Sequence, residues 1–210
     1  VPKKFNFECR GTTCGRVQDV LDSVKRSGKT GPVAAYAIQG YCPACDHDGR
    51  PYGGRFFVPV TNAKVFDAAT CEWAERSEDD LKDYWPRSEI QVGAEIGPHD
   101  VGGHHLTHWW KMFNPRQTLV HAQILRAIMR TSNHSWEVRE FVLGALQQYL
   151  RNQNMFTIWN MQADKLEPLF SNPHFHPKST MIENCVFAPY GRGNWRSCAD
   201  GLLDSIEWAR

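Results

Sequence analysis

No stretch of the 210 residues runs to 18 consecutive apolar side chains, the minimum for a membrane-spanning helix. Catalytic signatures with fixed spacing are missing as well. The sequence has no Gly-x-Ser-x-Gly elbow, no P-loop and no dinucleotide fingerprint, and its carboxylates are scattered without an obvious acid–base pair. Neither sign of charge is in excess: the formal net charge of +1 excludes a globally basic nucleic-acid coat, though not a local patch. An even set of cysteines is also lacking. There are seven, four of them in two close pairs, which suits a reducing interior better than a secreted disulfide scaffold. The first residues, Val-Pro-Lys-Lys-Phe-Asn-Phe, show no signal peptide, and the expected location is cytoplasmic. A start at Val rather than Met suggests a piece of a longer protein.

What is present fits a folded domain. Hydrophobic residues make up 41% and charged residues 22%, both ordinary for a globular chain, and eight Trp with eleven Phe supply ample core mass. Charge is unevenly spread. Residues 1–32 carry seven cations (Lys3, Lys4, Arg10, Arg16, Lys25, Arg26, Lys29) against Glu8, Asp19 and Asp22. Residues 72–83 reverse the balance, with six anions against Arg76 and Lys82. Each run reads as a solvated face, and the basic one also as a face that meets phosphate.

The pattern divides into an N-terminal part, 1–62, and a mixed part, 63–210. The first is short-stranded and turn-rich, with strand-like Phe5–Glu8, Val33–Ile38 and Arg55–Val60. Val17, Val20, Leu21 and Val24 recur at helical spacing, so a short helix is possible between the cysteine pairs. A helical hairpin is expected at about 114–153. Asn114 and Pro115 suit its start, and Val120, Ile124, Ala127 and Ile128 share a face. Ser135 can cap the second helix, whose stripe is Val138, Phe141, Val142, Ala145, Leu146, Tyr149 and Leu150. Residues 154–210 read as irregular. The expected class is α+β.

Cys9-x4-Cys14 and Cys42-x2-Cys45 each place two thiols on a tight turn, helped by Gly15 and Pro43. Two such turns supply the four thiolates, about 2.3 Å from the metal, of a tetrahedral structural Zn²⁺. The expectation is therefore a zinc-ribbon-like β subdomain, its charge offset by Arg10, Arg16 and Lys25. Four free thiols are the plainer alternative. Cys71, Cys185 and Cys198 read as isolated thiols. His104, His105 and His108 could hold a second metal, but such clusters are more often solvated imidazoles, and His174 and His176 are discounted alike. The Tyr190-Gly-Arg-Gly-Asn-Trp195 turn offers close backbone approach, a cation at Arg192 and stacking surface, parts that suit an exposed base. It reads equally as a structural turn with buried aromatics.

Four stretches in one order resemble a known family. They are Ala35-Tyr-Ala-Ile-Gln-Gly-Tyr-Cys-Pro-Ala-Cys45, Tyr52-Gly-Gly-Arg-Phe-Phe-Val-Pro59, Trp110-Lys-Met-Phe-Asn-Pro-Arg-Gln-Thr-Leu119 and Asn184–Trp195. The chain is similar to adenine-specific DNA methylases that carry an internal zinc ribbon. That resemblance implies a parent enzyme that uses S-adenosylmethionine to methylate the N6 amine of adenine in DNA. It implies Cys9, Cys14, Cys42 and Cys45 as zinc ligands, and Asn114, Arg116 and Gln117 as a motif at a helix start, where free N–H groups favour phosphate. The family's acidic Phe-x-Gly-x-Gly cofactor loop and its Asp-Pro-Pro-Tyr-type catalytic motif are both absent, so no catalytic residue carries over. The expected role is to bind or position DNA through Lys25, Arg26, Arg116, Gln117, Tyr190, Arg192 and Trp195. The competing expectation is a non-enzymatic zinc-dependent module that docks on a partner protein or on the rest of the parent chain.

Overall fold

The structure is a computed structural model that describes residues 6–9, 11, 13–19, 26, 34–62, 64–91, 107–160, 162, 165–168 and 182–210. Helices and small antiparallel sheets are mixed, so the class is α+β. Three two-stranded sheets form: β1 (Asn6–Glu8) with β2 (Val17–Asp19), β3 (Ala37–Tyr41) with β4 (Arg55–Pro59), and β5 (Ile158–Asn160) with β6 (Lys165–Glu167). Five helices are described: α1 (Pro43–His47), α2 (Lys64–Arg76), α3 (Pro115–Arg130), α4 (Trp136–Leu150) and α5 (Trp195–Trp208). Among the described residues no helix is long and apolar enough to cross a membrane.

In the β3–β4 ribbon, Ile38 pairs with Val58 and Gly40 with Phe56. The Phe56 ring lies over Gly40 so closely that a Cβ there would come within 2.2 Å of it, and a side chain at this position would displace the ring. Tyr36, Ile38, Phe56 and Val58 stay exposed, so one apolar side of the ribbon faces solvent. Val17 lies in β2, where its alternation with Gln18 follows the strand period. Between the cysteine pairs Arg26 is helical, while Val20, Leu21 and Val24 lie outside the described residues.

α3 is the axis of the helical body. Asn114 and Gln117 close a reciprocal capping box at its start, and Pro115 takes the first helical position. His121 near its start meets Tyr149 near the end of α4, so the two helices run back along each other. Ile124 and Ile128 pack with Leu146, Tyr149 and Cys198, joined by Val142, Val186 and Trp195. A second cluster, Leu81, Leu119 and Ala122 against Ala69, Trp73, Tyr84 and Trp85, lies toward α2. Ala127 is exposed, and the second buried side of α3 is formed by Leu119 and Ala122 instead. Only the last two turns of the α4 stripe are buried, since Val138 and Phe141 face solvent. Ser135 stands at the N-cap of α4 without a capping bond; its hydroxyl pairs with Glu137, whose carboxyl it lowers.

The C-terminal region is not wholly irregular. Asn194 caps α5 by accepting from the Ser197 amide at 2.8 Å, and Cys198 and Trp195 anchor that helix on α4. α2 is likewise a helix within the polar stretch 63–113. Part of the acidic run at its end is paired: Arg76 bridges Glu72 and Asp80 at 2.7 Å each, and Arg126 reaches Asp80 at 2.7 Å. These bonds raise the Arg76 pKa and lower that of Asp80.

Candidate functional site

Each cysteine pair sits in the turn that its sheet dictates. In the β1–β2 hairpin the Cys9 amide donates to Arg16 O at 2.9 Å and the Cys14 amide to Gly11 O at 3.2 Å. The Cys9 sulfur accepts from the Gly11 amide and from the Cys14 thiol, which holds its pKa below the ordinary thiol value. At the second pair, Cys42 follows β3 and its amide donates to Gly54 O at 2.8 Å. The Cys42 sulfur accepts from the Cys45 amide, the Cys45 thiol and the Ala44 amide, and its pKa is lowered; the Cys45 thiol, donating to Cys42, is raised. Gly54 adopts φ +70°, and a Cβ there would come within 2.5 Å of Cys42 O.

Amides aimed at sulfur stabilise thiolate, the form that binds metal. Each turn thus fits one half of a tetrahedral thiolate site. Among the described residues no group of three or more His, Cys, Asp or Glu side chains gathers at one point, so the halves stand apart. Zinc, if bound, would draw on Cys9 and Cys14 from one turn and Cys42 and Cys45 from the other, and would supply structural cross-linking rather than chemistry. Cys71 and Cys185 are exposed and Cys198 is in the core. His108 faces the Trp110 ring, at 6.4 Å, with Nδ1 2.8 Å from Thr107 Oγ1. His104, His105, His174, His176 and Lys25 lie outside the described residues.

The glycine-rich turn meets the second cysteine turn. Tyr190 packs against Tyr41 with ring centroids 4.4 Å apart and planes tilted by 47°, and Tyr190 remains 49% exposed. The Tyr41 hydroxyl donates to Asp46 at 2.5 Å, which pushes its pKa up to about 12. Gly191 and Gly193 take left-handed conformations, and a Cβ on Gly193 would overlap the Asn152 side chain. Asn194 Nδ2 donates to Tyr190 O at 3.0 Å and to Gly191 O at 3.2 Å, which shapes the turn. Asn184 Nδ2 donates to Arg192 O at 3.1 Å. The Arg192 side chain is exposed, with no ion-pair partner among the described residues.

A buried polar relay anchors this turn. Gln153, fully buried, donates from Nε2 to Gly193 O at 3.1 Å. Its own carbonyl lies 2.9 Å from His121 Nε2. A carbonyl only accepts, so Nε2 carries the hydrogen and Nδ1 accepts from the Tyr149 hydroxyl at 3.2 Å. Burial pushes the His121 pKa down to about 4, so the ring is neutral. Burial also raises the Tyr149 pKa. Sequence reasoning missed this relay. His121, four residues after Gln117 and three before Ile124, shares their inward spacing, and that was the available signal.

The remaining expected DNA contacts are differently placed. Gln117 is 3% exposed and occupied in the capping box, receiving the Asn114 amide at 3.1 Å. Arg116 lies over the Phe66 ring at 5.1 Å and pairs with Glu183, which also receives Asn114 Nδ2 at 2.9 Å. A carboxylate of the same chain thus holds the place where phosphate was expected. Trp195 is half-buried, edge-on to Tyr149 at 5.9 Å. Arg26 is exposed. Residues 182–195 therefore join the start of α3 to the second cysteine turn, with Phe187, Tyr190 and Arg192 among their outward side chains. No protein-family model, no curated protein and no solved structure matches this chain.

Proposed function

We propose that this chain is the zinc-bearing, DNA-handling segment of an S-adenosylmethionine-dependent adenine (N6) DNA methylase, with cofactor binding and catalysis supplied by other parts of the parent enzyme. The observation that carries the reading is the Tyr41–Tyr190 contact, which sets the glycine-rich turn, with exposed Arg192, against the second cysteine turn. A half-exposed ring near a cation that has no ion-pair partner among the described residues is suited to an unstacked base and its phosphate. Methylation of a base needs it outside the duplex stack, so a surface for distorted strand belongs in such an enzyme. Zinc on the four cysteines would hold that surface in shape.

The test pairs metal content, by mass spectrometry on protein purified without added metal, with a DNA titration at two salt concentrations. One zinc per chain and affinity that falls with salt would support the reading. Zinc without DNA binding would sink the DNA-handling role. It would favour the second reading, a zinc-dependent interaction module, which the open apolar side of the β3–β4 ribbon supports. Arg192→Ala separates the two: a folded variant with unchanged DNA affinity favours the module.

A further inference from the structure

We infer that one face of the β3–β4 ribbon continues the Tyr190 surface as a stacking platform for separated bases of single-stranded DNA, an inference that rests on the DNA-handling reading above. Residues paired across an antiparallel ladder share a face, and successive residues alternate between faces. Tyr41 is paired with Arg55 and Gln39 with Phe57, so these four share one face, while Ile38, Val58 and Phe56 belong to the other. Tyr190 packs against the Tyr41 ring and so extends the first of these faces. Phe57 is 64% exposed. One exposed ring is ordinary on a protein surface. Here it is aligned with a half-exposed ring, a guanidinium and an amide. Arg55 stands level with Tyr41, and Arg192 is exposed in the adjoining turn, so cations accompany the rings. The Asp46 carboxylate at this end already accepts from the Tyr41 hydroxyl. Gln39, exposed opposite Phe57, brings an amide donor and acceptor to the edge of a base lying on that ring. Phe57 lies two residues along β4 from Arg55, a step of about 7 Å. Stacked bases of one strand are about 3.4 Å apart. Rings at these two levels therefore suit bases pulled out of the stack, not an intact duplex.

The experiment titrates the full chain with a labelled oligothymidine single strand, and with a duplex of equal length, at two salt concentrations. Loss of one base–ring stack should weaken single-strand binding by Phe57→Ala about 5- to 150-fold. Phe57→Leu should lose as much, because it keeps apolar bulk without a π face, and Phe57→Trp should bind like the wild type. None of the three removes a charge, so the salt slope should stay that of the wild type. Phe57 belongs to neither core cluster, so all three should also melt with the wild type. Equal binding by Phe57→Ala and the wild type overturns the platform and leaves the DNA-handling reading standing. Wild-type affinity in Phe57→Leu overturns stacking as the contact. Duplex held as tightly as single strand overturns the preference for separated bases. A wild-type chain that binds neither probe overturns both readings.

Discussion

Burial between Phe113 and Tyr149 makes His121 a titrating group with a defined direction. In the unfolded chain the imidazole gains a proton as pH falls through about 6.5; in the folded chain it resists until about 4. Between those values the unfolded state binds more protons. Stability is therefore full above about pH 6.5 and declines toward pH 4, by roughly 3 kcal/mol in total. Denaturant midpoints at pH 7 and 4.5 should show this decline, and His121→Gln should flatten it; an equal slope in the variant would place the proton uptake elsewhere. Glycine gives a second case at this scale. Gly49 and Gly54 both take left-handed backbone, but only Gly54 also presses on Cys42 O and Asp46. Gly49→Ala should add only the conformational penalty, about 1–2 kcal/mol. Gly54→Ala should cost more and weaken metal uptake more, as read by competition with a chromophoric chelator. Equal losses in the two variants would mean the close approach at Gly54 has no effect.

The capping box makes the start of α3 sensitive to one side chain. Asn114→Ala should cost about 1 kcal/mol, lowering the melting temperature by about 2–4 °C. Ser135→Ala, with no capping bond to lose, should lower it less in the same melting series. These two helices were legible because cap residues and apolar spacing are local signals. α5 was not: its described buried residue is Cys198, and what holds it is packing on Leu146 and Tyr149 about fifty positions earlier. α2 hides among charges, since its inward side is little more than Ala69 and Trp73. The cysteine pairs were legible for the same local reason as the caps. The relay was not, because His121 and Gln153 are 32 residues apart and Gln153 and Gly193 are 40 apart. Nor was the pairing of Arg116 with Glu183 legible, because the two lie 67 residues apart.

At the scale of the whole molecule, the net charge of +1 limits the DNA affinity that the proposed function can draw on. On the proposed function, contact with about two to four phosphates would give log K against log salt a slope of about −2 to −4. A slope near −8 would require a far larger basic face than the chain has. Metal and body should also separate in their signals. All eight Trp lie at position 73 or beyond, outside the cysteine-bearing residues 1–62. Chelation should therefore leave the tryptophan-monitored melting curve nearly unchanged while hydrogen exchange rises across 6–19 and 37–59. A large shift in the tryptophan curve would mean that zinc supports the helical body as well.

α3 has a buried side toward α2 and another toward α4 and α5. A protease that clips the exposed link at 131–135 would therefore cut the backbone without parting the pieces. Ile124 and Ile128 on one fragment would still be clasped by Leu146, Tyr149 and Cys198 on the other. The nicked protein should elute from a sizing column at the position of the intact chain, and come apart only in denaturant.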